Sequence, residues 1–133
     1  MAAEKTTEKA LQVAVEGAME ELGVELSDFS VFPDYENMTY VFLIEPMKED
    51  TGVSIEQLTE CVYKHMREAN GEFAGYVDTG RIKKPVAHWL QPETTILYRD
   101  MMVFRGASAN QLKPVRVIMN EKQRKFFFSL IME

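Results

Sequence analysis

The sequence predicts an α+β fold: a small mixed β-sheet packed with helices in a single compact domain. Three observations carry this. A helical apolar stripe lies near the amino end. Two strand segments follow, joined by a turn, and the second is almost continuously apolar. Helical and strand patterns then alternate to the carboxyl end without repeat, low-complexity linker or break in composition. At 133 residues and 46% hydrophobic content the chain can bury a real core and lacks the low hydrophobicity of disorder.

Residues 8–22 read as an amphipathic helix, with Leu11, Ala14, Val15, Ala18, Met19 and Leu22 on one face and Glu16, Glu20 and Glu21 elsewhere. Gly23 ends it. Asp28 to Phe32 and Thr39 to Glu45 are rich in β-branched and aromatic residues and flank the turn-prone Pro33-Asp34-Tyr35-Glu36-Asn37, which predicts a hairpin. Tyr40 through Ile44 is an unbroken apolar run, the pattern of a central strand covered on both faces.

Ser54-Ile55-Glu56-Gln57 fits a capping box opening a second helix, whose stripe is Ile55, Leu58, Val62, Met66 and Ala69. Cys61 and His65 lie beside the stripe and read as packing or boundary residues, because no base or second ligand is spaced to help them. Asn70-Gly71 interrupts the helix, a short helical piece spans Glu72 to Val77, and Gly80 closes it. A third strand is expected at Val86 to Leu90. Pro92 then opens a helix to about Phe104, although Thr94, Thr95, Ile96, Val103 and Phe104 would also suit a strand. Asn120 caps a last helix with Phe126, Phe127, Leu130 and Ile131 on its apolar side and Lys122, Arg124 and Lys125 on its solvated face.

Composition narrows the function classes. The single Cys61 cannot form an internal disulfide, and there is neither a charged-then-apolar leader nor an apolar run of membrane length, so a cytoplasmic setting without membrane is expected. Two separated histidines and one cysteine give no metal-ligand spacing, and no thiol chemistry is expected. Glycine-rich phosphate loop, nucleophile elbow and acid/base carboxylate pair are all absent. The net charge of −6 hides an asymmetry: residues 1–80 hold 5 Lys+Arg against 17 Asp+Glu, a net of −12, while residues 81–133 hold 10 against 4, a net of +6. Either the halves pair in the fold or the basic half meets an anionic partner.

One connector concentrates polar chemistry in that basic half, from Arg105-Gly106-Ala107-Ser108-Ala109-Asn110-Gln111 through Leu112-Lys113-Pro114-Val115-Arg116 to Val117-Ile118. Small residues let backbone approach a ligand, and Lys and Arg supply donors suited to phosphate or carboxylate. An anion is the natural guest, and a loop with both cations in water is the plain alternative.

Asn110-Gln111-Leu112-Lys113 with Arg116 resembles the Gln-x-Lys-x-Pro-Arg signature near the carboxyl end of the Gretchen-Hagen-three, auxin-responsive acyl acid amido synthetases, which are adenylate-forming enzymes. Weaker matches run upstream in the same order: Asp28-Phe29-Ser30-Val31, Tyr40-Val41-Phe42-Leu43-Ile44-Glu45, Asn70-Gly71-Glu72-Phe73 with Tyr76, Gly80-Arg81-Ile82 and Pro85-Val86. The resemblance covers roughly residues 5 to 130. One departure stands out: the family places Pro two residues after the Lys, whereas Pro114 follows Lys113 at once, which leaves the aim of Arg116 open.

The resemblance implies that residues 1–133 are the carboxy-terminal lid domain of an amide ligase, incomplete as a catalyst by itself. A larger amino-terminal adenylation domain, in the same or a separate chain, would hold the substrates. The family joins a carboxylic acid to AMP, then lets an amino acid amine attack the acyl-adenylate. Lys113 would be the catalytic residue, with Gln111 and Arg116 as nucleotide or anion contacts. ATP and Mg would enter only with the larger domain, and no cofactor is expected in this chain alone. Two further readings stay open: a freestanding small-molecule-binding or regulatory α+β module, and a nucleic-acid binder using the basic half. The latter lacks clustered Lys/Arg with interleaved aromatics on a sheet, and no nucleic-acid partner is expected.

Overall fold

The computed structural model describes residues 8–108, 110 and 112–132. In chain order the elements are α1 (Glu8–Leu22), β1 (Leu26–Asp34), β2 (Thr39–Pro46), α2 (Ile55–Ala69), α3 (Gly71–Asp78), β3 (Val86–Trp89), α4 (Thr94–Phe104) and α5 (Glu121–Phe128). The class is the α+β expected, with a mixed sheet in the order β1-β2-β3. β1 and β2 pair antiparallel, with Phe29 opposite Ile44 and Val31 opposite Phe42. β3 returns parallel to β2 after the α2–α3 crossover, with Val41 opposite Val86 and Ile44 opposite Trp89.

The apolar run of β2 has the predicted consequence. Every residue of the strand is buried, because helices cover both faces of the sheet. Tyr40, Phe42 and Ile44 join Leu11, Val15 and Met19 of α1 and Leu58, Val62 and Met66 of α2 in one core. Val41 and Leu43 point the other way, to Leu90, Ile118 and Phe127. Strand alternation thus feeds two cores from one segment. Burying each of Phe42, Leu43 and Ile44 stabilises the fold by about 1.5–3 kcal/mol.

Helix ends follow local chemistry. Gly23, at φ +69, takes the left-handed turn after α1, and Val24 N–H closes on Met19 C=O at 3.0 Å. The capping box is complete: Gln57 N–H donates to Ser54 Oγ at 3.1 Å, and Ser54 N–H donates to Gln57 Oε1 at 3.0 Å. Asn70 serves two helices. Its backbone closes α2 on Met66 C=O at 3.0 Å, and its side chain accepts from Phe73 N–H at 3.1 Å to open α3. Asn120 caps α5 through Gln123 N–H at 2.9 Å.

Three expectations need correction. α4 begins at Thr94 rather than Pro92, because Glu93 takes a left-handed conformation, φ 72, before the first helical residue. β3 stops at Trp89, and Leu90 instead makes an isolated antiparallel bridge with Ile131. Arg124 is only half solvated on α5, pairing with exposed Glu121 while it leans on two rings. Its guanidinium lies 5.4 Å from the Phe32 ring centre and 5.2 Å from that of Phe128, while Lys122 and Lys125 are exposed as expected.

Candidate functional site: the Lys113 loop and its cleft

The connector gains its shape from where it is fastened. Val31 N–H donates to Arg116 C=O at 2.8 Å, Ile118 N–H donates to Val31 C=O at 2.9 Å, and Ser30 Oγ donates to Val115 C=O. Residues 115–118 therefore run parallel beside β1, bridged at Val31 and Val117. β-branched Val115, Val117 and Ile118 suit that position, and Ile118 is buried in the second core.

Arg116 is committed to this fastening. It donates to Asp28 Oδ1 and, at 3.3 Å, to Phe29 C=O, and its guanidinium sits 4.8 Å over the Phe29 ring. Of the two ways the charge asymmetry could act, this is pairing between halves, between residues 88 positions apart. The partner to the Phe-ring stack and carboxylate is a planar donor fork, which lysine could not imitate.

Lys113 contrasts with it. The side chain is exposed, and among the described residues no hydrogen bond or ion pair engages it. Gln111 lies outside the described residues. Leu112, Lys113, Pro114 and Val115 form one wall of a cleft of about 230 Å³, opposite Thr95, Tyr98 and Arg99 of α4, with Asp28, Ser30 and Phe127 completing it. Among the described residues that line it, Lys113 and Arg99 are the charges without an ion pair, since Asp28 is held by Arg116. Sites that enclose a drug-sized ligand usually measure about 300–1,000 Å³, so this cleft is too small to surround a nucleotide. It can meet an anion from one side only.

The α4 wall is pinned by a residue the sequence reading placed only as the end of an apolar strand. Glu45, 2% exposed, accepts from Glu93 N–H at 3.2 Å, Thr95 N–H at 2.8 Å and Thr95 Oγ1 at 2.8 Å. A carboxylate from β2 thus caps the helix whose own N-cap residue makes no side-chain bond. The signal available in the sequence was a lone acid directly after a continuous apolar run, in a strand buried throughout. One turn on, Tyr98 stacks on Phe127 at 5.1 Å and accepts from Gln123 Nε2 at 3.3 Å, so α4 is held by its amino-terminal half.

A second cluster escaped the sequence because its members come from two helices. Glu21 of α1 meets His65 Nε2 at 2.9 Å, Lys64 Nζ at 2.8 Å and Cys61 Sγ at 3.4 Å. Glu21, Cys61 and His65 offer three ligand atoms within 4.8 Å of one another, spacing that sequence separation concealed. The group is already satisfied as a charge network. Hydrogen bonds from Lys64, His65 and Cys61 hold the Glu21 carboxyl down at about 2, whereas burial and then Glu21 push the Cys61 thiol up to about 11. A protonated thiol is a poor metal ligand and an inert nucleophile. Gly17 makes room for the ring: a Cβ there would stand 2.7 Å from His65 Nδ1.

With these elements in place, comparison with known proteins becomes informative. Residues 9–122 match the model of the GH3 family C-terminal domain. The chain belongs to that family. A search of curated proteins by sequence finds no match. Among solved structures the GH3 domain resembles a GH3.15 acyl acid amido synthetase, with a TM-score of 0.73 and 21% identity over 94% of this chain and 22% of that one. It also resembles the AtGH3.15 acyl acid amido synthetase in complex with 2,4-DB, at 0.71 and 19%, over 93% of this chain and 24% of that one. The GH3 domain here therefore spans less than a quarter of either relative's length. Among the described residues no helix is long and apolar enough to cross a membrane.

Proposed function

We propose that this chain is the closing domain of an ATP-dependent acid-amido synthetase, acting in a cytoplasmic setting together with a larger amino-terminal adenylation domain. That enzyme conjugates a carboxylic acid to an amino acid through an acyl-adenylate, a reading supported by the resemblance to the auxin-responsive family and by the likeness to acyl acid amido synthetases. ATP and Mg²⁺ enter with the larger domain. The single observation carrying the proposal is an exposed, unengaged Lys113 at the mouth of a cleft too small to enclose substrate, in a chain of this family.

The division of labour combines the family resemblance with the fastening of the loop to β1. Arg116, held by Asp28 and Phe29, fixes the loop's base. The resemblance assigns Gln111, outside the described residues, as a nucleotide or anion contact that helps fix the loop, and Lys113 reaches the phosphate or carboxylate oxygens once the two domains meet. Closure excludes water from the hydrolysable acyl-adenylate and delivers a positive charge only when substrate is in place. By itself the chain folds but forms no acyl-adenylate, so pyrophosphate release from ATP and a panel of carboxylic acids stays at background.

Lys113→Ala is the decisive substitution. Loss of one preorganised charged donor costs about 3–4 kcal/mol in the transition state, roughly a hundred- to a thousandfold in adenylation rate. The melting temperature stays unchanged, since the side chain is exposed. Turnover of the two-domain enzyme within twofold of wild type would overturn the role assigned to Lys113.

A further inference from the structure

We infer that the outward face of α4 is the surface on which the larger adenylation domain docks, an inference that rests on the function proposed above. At about 100° per residue, Arg99, Val103, Ile96, Asp100, Phe104 and Leu97 sweep one side of the helix. Four of these six are apolar, and all are exposed: Ile96 by 57%, Leu97 by 47%, Val103 by 41% and Phe104 by 92%. A helix whose outer side meets water carries polar residues there, as α1 does with Glu16 and Glu20 and α2 with Glu56, Glu60 and Lys64. α4 is inverted. Clustered exposed apolar side chains rimmed by charge mark an interaction surface.

The occupant follows from two features. The matched synthetases are chains of which this domain accounts for 22% and 24%, so roughly three quarters of such a protein has no counterpart here and must meet this domain somewhere. α4 also forms a wall of the Lys113 cleft through Thr95, Tyr98 and Arg99, so a body seated on its outer face brings its own surface to the cleft mouth. A partner with an apolar pocket for Phe104 fits the face. Inter-domain interfaces bury about 600–1,500 Å². Phe104 alone contributes on the order of 150–200 Å² of that.

The test mixes the 133-residue chain with the amino-terminal domain of the same enzyme, produced separately, and measures affinity and hydrogen–deuterium exchange. The expected result is slowed exchange over residues 94–104, with α1 and α2 unchanged. Phe104→Glu weakens association by about tenfold or more, while Phe104→Leu keeps most of it. Binding with α4 left unprotected overturns the docking inference, and Lys113-dependent adenylation in that same mixture leaves the functional reading standing. Absence of both binding and adenylation removes the reading and the inference with it. Sedimentation of the chain alone gives the remaining outcome: a dimer abolished by Phe104→Glu assigns the face to a second copy and overturns the proposal.

Discussion

Replacing Glu45 by Gln isolates the attachment of α4 to the sheet. The two side chains have the same shape, but the carboxylate accepts three hydrogen bonds at 2.8–3.2 Å and has no donor to place among them. Glutamine keeps one acceptor oxygen and turns an amide N–H₂ toward Glu93 N–H or Thr95 N–H. Bonds to a charged group contribute about 1.5–3 kcal/mol against about 1 for neutral ones, and a buried donor left unpaired costs about 1–3. Weakening two bonds and losing one gives a loss of about 3–4 kcal/mol in a domain stable by about 5–15. At about 3–5 °C per kcal/mol for a domain of this size, the melting temperature falls by about 10–20 °C. Calorimetry supplies the midpoint, and hydrogen exchange shows faster opening over residues 94–99 than over α1 or β2. A Glu45→Gln protein melting within about 3 °C of wild type would refute the reasoning.

Arg116→Lys removes the planar fork that serves Asp28, Phe29 C=O and the Phe29 ring together, so the charge-conserving change destabilises by about 1–3 kcal/mol in urea titration rather than passing as neutral. Val15→Asp places an unpaired charge at a site of 0% exposure and costs several kcal/mol; circular dichroism shows an unfolded chain. Glu21 makes stability pH-dependent with a defined sign. Its folded carboxyl sits near 2 against an ordinary 4.5, so its contribution is complete above the ordinary value and disappears as pH falls toward 2. The gap in urea midpoint between wild type and Glu21→Gln accordingly closes on acidification from pH 6 to about 2.

What the sequence disclosed and what it concealed divide along a physical line. Elements governed by neighbours in the chain were legible: the stripe of α1, the Ser54–Gln57 box, the stop at Gly23, the break at Asn70-Gly71, the cap at Asn120, and the buried strand β2. Each is decided by residues within a few positions. Interactions across long separations left no periodic trace. Asp28 and Arg116 are 88 apart, Glu45 and Thr95 are 50 apart, and Glu21 and His65 are 44 apart. α4 was ambiguous for a related reason: its threonines, isoleucine and valine favour strand, and the helix depends on a cap supplied by Glu45 from another element. Of the Lys113 connector, residue types and order were readable, but not that Arg116 is occupied while Lys113 is free of described partners. That distinction exists only once β1 lies alongside.

The double duty of Asn70 governs where this domain can change length. One residue closes α2 and opens α3, so a single inserted residue there would break two caps at once and turn α3 out of register with Phe73, which is buried at 1% exposure. The crossover between β2 and β3 is a fixed-length strut.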